Sequence, residues 1–371
     1  MGHVKLTSVQ LLERKLPPHK PGEVLARLAQ AGDRVDLGVR VLERFDLPST
    51  RGSGDLVRLQ LPEGMSTAEG IAWLEQDSRF EYVTSNDLRR VARVSSDDYE
   101  ANDLWGLEKI QAPEAWAKTT GSRQGPVIAV LDTGVELDHP DLRANLWVNA
   151  GEVAGNGVDD DNNGVIDDVH GYDAVLQTGD PSDDYGHGTH CAGTVGAVGD
   201  NGEGVVGVNW QSQLMPVKMM SKGEGTVADT VRALAYATRM GARITSNSYG
   251  GGYNEAERDA FENSPLLHLC AAGNESNDND VSPFYPDDRP LGYPASYPFD
   301  HILSVAASDR NDRLARFSNY GAKNVDLAAP GVGTLSTVPG AGYDTKSGTS
   351  MATPHVAGVA GLIATLYPEA S

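Results

Sequence analysis

From Asp55 to Leu61 the chain alternates polar and apolar residues with a period of two. That rhythm predicts a strand buried on one face. Pro62-Glu63-Gly64 follows as a turn. Ser66 and Glu69 then have the spacing of a capping box, which opens a helix by satisfying two orphan N–H groups. Ile71 and Leu74 share one face of that helix, and Arg79 to Val83 reads as a returning strand. This strand–helix–strand pattern predicts a small α+β domain.

A charged stretch poor in apolar residues runs from Asn86 to Asn102 and is expected to be a linker. The pattern changes after Trp105. Continuous apolar runs at Val127–Leu131, Leu214–Met220, Leu266–Ala272 and Ile302–Ala307 predict strands covered on both faces. Val227 to Met240 has helical spacing, with Val231, Leu234 and Ala235 on its apolar face and Gly241 as its stop. Alternating β and α elements predict a three-layer α/β/α fold around a mostly parallel sheet. There is no internal repeat.

With 371 residues there is room for two domains. The net charge of −22 argues against a nucleic-acid partner, because phosphate contacts need clustered Lys and Arg. No apolar run approaches the ~20 residues of a membrane helix, so no membrane partner is expected. Met1 to Lys20 lacks the apolar middle of a signal peptide; either a leader has been removed or export takes another route. Two cysteines are too few for a disulfide framework. Cys191 and Cys270 sit in apolar segments and are expected as buried thiols.

The chemistry is concentrated in three segments. Asp132-Thr133-Gly134 ends an apolar run, His187-Gly188-Thr189-His190 opens a small-residue helix, and Gly348-Thr349-Ser350-Met351-Ala352 opens another. A serine hydroxyl is a weak nucleophile and needs a base. His187 is the candidate base for Ser350, and Asp132 the group that orients it. A fourth segment, Ala271-Ala272-Gly273-Asn274, ends another strand. The four motifs in this order resemble the subtilisin-like serine proteases, or subtilases. Cys191 after the His motif is similar to the thermitase and proteinase K branches. The resemblance covers roughly Asp97 to Ser371.

That resemblance implies an endopeptidase acting on polypeptide substrates through Asp132, His187 and Ser350. The Asn274 side chain and the Ser350 N–H would hold the oxyanion. Ser248, Tyr249 and Gly250 would pair with the substrate backbone on one side, and Gly223-Glu224-Gly225 on the other. Tyr249, Ala271 and Gly273 would line the pocket for the residue before the scissile bond. Asp278, Asp280, Asp287 and Asp288, in the segment below it, could shift preference toward basic residues. Residues 1–94 resemble, in pattern, the ferredoxin-like propeptide of this family, an intramolecular inhibitor; 95–371 would be the catalytic domain. A monomer exported from the cell is implied, with an intracellular location left open by the missing leader. The chain stops at Ser371 where the family usually continues, so a C-terminal truncation is expected.

Calcium is the expected cofactor. Asp159, Asp161 and Asn163, then Gly164 and the Val165 carbonyl, form the first half of an EF-hand-like loop, which Asp167 or Asp168 would close. By resemblance, Asp141, Asn201 and Asp97 form a second site, and Asp309 holds a weaker cation. Other patterns carry less. Gly202 to Gly207 fits a dinucleotide motif without a flanking strand and helix. His187 and His190 could be two zinc ligands, with no third nearby. Asn274-Glu275-Ser276 is a glycosylation sequon that would put a glycan in the cleft. A rival reading is a silent protein whose propeptide is never released. A calcium-binding adhesion module does not explain the four motifs.

Overall fold

The computed structural model describes residues 16, 19–45, 54–87, 98, 103–281 and 292–369. Asp97, Asp287, Asp288 and most of the expected linker lie outside the described residues. The chain divides into two compact units, Met1–Val91 and Ala92–Ser371.

The first unit is a four-stranded antiparallel sheet with one helix. Its elements are β1 (His19–Leu28), β2 (Arg40–Phe45), β3 (Leu56–Gln60), α1 (Thr67–Leu74) and β4 (Phe80–Asp87), with strand order β2-β3-β1-β4. Val57, Leu59 and Leu61 are buried, as their alternation predicts, against Val24, Ala26 and Leu28 of β1. The capping box is present: Ser66 Oγ accepts from Glu69 N at 3.3 Å, and Glu69 Oε2 accepts from Ser66 N at 2.9 Å. The returning strand runs on to Asp87, into the segment expected to be linker. The strand order is that of a ferredoxin-like sheet, but the first crossover, Ala29–Val39, holds turns in place of a helix. Gly32 and Gly38 adopt positive φ there, and Arg79 ties the loop down through Arg34 O and Asp36.

The second unit begins with short helices α2 (Trp105–Lys109) and α3 (Ala112–Trp116). Then come β5 (Val127–Asp132), β6 (Tyr172–Asp173), α4 (Gly188–Gly196), β7 (Gln213–Lys218), α5 (Val227–Arg239), β8 (Ala242–Asn247), α6 (Glu255–Glu262) and β9 (Leu267–Ala271). The rest is β10 (Ile302–Ser308), β11 (Leu327–Pro330), the hairpin β12 (Thr334–Val338) and β13 (Gly342–Lys346), and α7 (Thr349–Leu366). Seven strands pair in the order β11-β10-β9-β8-β5-β7-β6, every pair parallel. β12 and β13 form a separate antiparallel ribbon.

Alternation along β5 makes the three layers. Ile128 and Val130 pack with Cys191, Ala192 and Val195 of α4 and with Met351, Ala357 and Leu362 of α7. Ala129 and Leu131 pack on the other face with Ala233, Leu234 and Tyr236 of α5 and Phe261 of α6. Ala235 is exposed, contrary to expectation. The buried residues of α5 are Asp229, Thr230, Ala233, Leu234, Tyr236 and Ala237, a set that keeps the helical spacing one residue out of phase. Cys191 and Cys270 are free, fully buried and in opposite core layers. Among the described residues no helix is long and apolar enough to cross a membrane.

Candidate active site

Asp132 is the last residue of β5 and fully buried. Open parallel sheets present side chains at this carboxyl edge. Its Oδ1 accepts from Thr133 N at 2.7 Å and lies 2.7 Å from His187 Nδ1. His187 caps α4, so its backbone is fixed by the helix while its ring stays partly exposed. Burial works to lower the imidazole pKa, but the Asp132 charge and hydrogen bond, together with Cys191, outweigh it and hold the ring well above 6.5.

Ser350 is the second residue of α7, where the N–H has no intrahelical acceptor. Its Oγ donates to Ser248 O at 3.1 Å. The Ser350 carbonyl would normally accept from the residue four positions on. That residue is Pro354, which has no N–H. The vacated acceptor takes Ser248 Oγ at 2.9 Å and Cys191 Sγ at 3.4 Å. The proline therefore anchors the serine to the residue after β8 and to the helix that follows His187. Asn274 is pinned the same way: its Oδ1 accepts from Thr349 N at 2.8 Å and from Thr349 Oγ1 at 3.1 Å. Those contacts leave the amide NH₂ as the group turned away from α7.

One cavity of about 340 Å³ is lined by Ser350, Asn274, Tyr249, Gly250, Ala271 and Gly273, together with Gly251, Glu275, Asn277, Gly292, Asn319 and Thr349. Gly273 has φ +109°, and a Cβ there would lie 2.4 Å from Asn319 Nδ2. Only glycine allows that wall. The acid in the lining is Glu275, held by Asn319 Nδ2 at 2.9 Å. Asp280, expected nearby, instead caps the N–H groups of Ala322, Lys323 and Asn324, and Asp278 accepts from Asp280 N. Asn319 also accepts from Glu275 N and Asn277 N and donates to Ala272 O. No spacing in the sequence marks it; its burial in a polar segment is the only sign.

Gly223 sits in a tight turn, not a strand. Lys222 and Gly223 both have positive φ, and Ser221 pairs with Glu224 across them. Gly225 follows that turn, and neither glycine lines the cavity. Ser248 is committed to Ser350 through both its oxygens.

At the first expected cation site, carboxylate oxygens of Glu152, Asp161 and Asp168 lie within 4.8 Å of one another. Asp159 is spent on Asn163 N and Gly164 N, and Asp167 on the N–H groups of Gly155, Asn156 and Gly157. Asn163 Nδ2 braces Asp161 and Asp168. Three converging carboxylates suit a hard cation. Glu152 was not legible because it lies seven residues before the loop. At the second site, burial raises the Asp141 carboxyl to about 6, while Asn201 Nδ2 and Val205 N each donate to it at 3.0 Å. A buried carboxylate at that cost also suits a cation. Asp98, next to the expected Asp97, accepts from Asn201 N. Asp309 serves a turn, accepting from Asn311 N and Arg313 N. His190 is structural: its Nε2 meets Thr334 O and Asp344 O, and burial lowers it to about 4.

Residues 123–371 match the model of the subtilase family. The chain is similar to thermitase of Thermoactinomyces vulgaris, 38% identical over 282 residues, covering 74% of this chain and 87% of that protein. It is similar to an intracellular serine protease of Paenibacillus polymyxa, 38% identical over 278 residues, covering 73% and 76%. Among solved structures it resembles a cold-adapted subtilisin-like serine proteinase, with TM-score 0.53 and 30% identity over 67% of this chain and 78% of that one.

Proposed function

The chain belongs to the subtilase family and is a subtilisin-like serine protease, and from that premise we propose that Asp132, His187 and Ser350 form its catalytic triad. Asp132 accepts the Nδ1 proton of His187, which leaves Nε2 as the basic atom. Rotation about the Ser350 Cα–Cβ bond turns the hydroxyl from Ser248 O toward that nitrogen. His187 takes the proton as Oγ attacks the peptide carbonyl, and returns it to the leaving amine. The Asn274 amide and the Ser350 N–H receive the oxyanion. Water then hydrolyses the acyl-enzyme by the same route. The observation that carries this reading is the 2.7 Å contact between His187 and Asp132, with Cys191 Sγ lying between His187 Nδ1 and the carbonyl of Ser350.

Calcium belongs to the same proposal. Glu152, Asp161 and Asp168 would hold one ion and Asp141 with Asn201 another, each tying a loop of the catalytic unit to its sheet. The first unit acts as a propeptide: it helps the second fold, inhibits it, and is cut away by it. The protein works as an exported monomer on extended segments of polypeptides. The test is hydrolysis of unfolded casein by the purified protein with calcium, beside Ser350→Ala. Turnover in the wild type alone supports the reading, and equal turnover in both defeats it.

A further inference from the structure

Asp183 and Asp184 are neighbours whose side chains grip two different strand ends. Asp183 Oδ1 accepts from Thr133 Oγ1 at 2.8 Å, and its Oδ2 accepts from Thr189 N at 2.9 Å and from Thr189 Oγ1. Thr133 follows Asp132, and its Oγ1 accepts from Gly188 N at 2.9 Å. The carboxylate therefore joins the residue after the acid to the first turn of the helix behind His187. Tyr185 N and Gly186 N also donate to it, which closes the loop just before the histidine.

Asp184 reaches the other way. Its Oδ2 lies 3.0 Å from Lys218 Nζ and accepts from Ser221 Oγ at 2.6 Å, while Oδ1 accepts from Lys222 N at 2.9 Å. Lys218 ends β7 and is the direct register partner of Asp132 on β5. Its ammonium is almost fully buried and also donates to Ser182 O. Ser221 and Lys222 begin the turn that carries Gly223, and the Tyr185 ring lies against that glycine.

We propose that Asp183 and Asp184 are positioning residues: Asp183 fixes the Asp132–His187 geometry and Asp184 fixes the Gly223 turn, the segment expected to pair with an extended substrate. This rests on the triad reading above. Two adjacent carboxylates on one short loop then set the base and the substrate rail in common register. Neither touches the reacting atoms, so their loss separates in the kinetics. A small misplacement of a catalytic group costs about 10²-fold in rate. Losing one or two anchors of a binding turn costs about tenfold in affinity.

The test measures kcat and KM for Asp183→Asn, Thr133→Val, their double variant, Asp184→Asn and Ser221→Ala. Two peptides are used, one with a single residue before the scissile bond and one with four. Asp183→Asn is expected to lower kcat about 10²-fold on both peptides with KM nearly constant. Thr133→Val follows it in direction, and the double variant loses less than the product of the two, because they are one path. Asp184→Asn raises KM about tenfold for the longer peptide and far less for the shorter. Ser221→Ala, which keeps the Lys218 pair, shifts KM in the same direction and carries this arm if Asp184→Asn does not fold; Thr133→Val does so for the other. Wild-type kcat in folded Asp183→Asn or Thr133→Val, or one kinetic pattern for both aspartates, overturns the inference. Retained turnover in Ser350→Ala defeats the triad reading instead, so the two failures are distinct.

Discussion

His187 Nδ1 lies 2.7 Å from Asp132 Oδ1, and the same oxygen holds the N–H of Thr133, so the carboxylate is fixed before it meets the imidazole. Asp132→Asn replaces an acceptor with a group that favours the wrong tautomer. The expected loss is about 10⁴ in kcat with little change in KM. The pH profile carries a second signature. In the proposed triad catalysis needs neutral His187, and Asp132 with Cys191 holds its pKa well above 6.5, so wild-type activity is expected to rise through a limb above that value. In the variant, burial is opposed only by Cys191 and the limb moves to lower pH. Rate measurements from pH 5 to 9 check both.

In the proposed mechanism, Asn274→Ala removes a donor aimed at developing charge. It is expected to lower kcat by about 10²–10³ while KM holds. Its Oδ1 anchors to Thr349 are lost too. A melting curve beside the kinetics separates the two effects: a normal melting temperature with low kcat is the oxyanion result. A higher KM with normal kcat makes Asn274 a binding residue.

Chelator should lower the melting temperature, because a ligand of the folded state stabilises by about 2.7 kcal/mol at a hundredfold excess over its dissociation constant. Glu152→Gln, Asp161→Asn and Asp168→Asn should each shrink that difference, and Asp309→Asn should not. Asp141 adds a pH dependence. Its carboxyl titrates at about 6 in the fold against 3.8 unfolded, so folding takes up a proton between those values. Without calcium, its contribution therefore weakens as pH rises from about 4 to about 6. Calcium needs the ionised form, so the chelator-sensitive difference should be full above about 6 and shrink below it. Asp141→Asn should abolish that shrinkage, as read by melting curves with and without chelator from pH 5 to 8.

The sequence made the strand ends readable and the supporting side chains unreadable. Val127 to Asp132 is an apolar run closed by an acid, and that is enough to place Asp132 at a sheet edge. The motif serines, histidine and asparagine are local signals of the same kind. Glu152, Asn319 and Asp183 are not, because each acts across 6 to 50 residues of chain through hydrogen bonds that no periodicity encodes. The phase of α5 was misread at Ala235 because alanine fits either face. The turn at Gly223 is not legible because positive φ at Lys222 is invisible in composition.

Processing of the chain tests the two-unit proposal. Wild type incubated with calcium should yield two fragments, cut between Asn86 and Asp97, and Ser350→Ala should remain one chain. Fragment 1–94 added back should inhibit the mature enzyme. Mass spectrometry of the products and a peptide assay read both. Wild type that stays whole while hydrolysing a peptide would mean that the first unit is not a self-processed propeptide.

The most direct measurement is covalent labelling of the purified protein with a fluorophosphonate, followed by peptide mapping. The reagent reacts with a serine only where a base activates it and donors hold the phosphoryl oxygen. The expected result is one adduct, on Ser350, formed quickly in wild type and at least about 10³-fold more slowly in His187→Ala. Labelling on another residue, or equal labelling of Ser350 without His187, would contradict the triad.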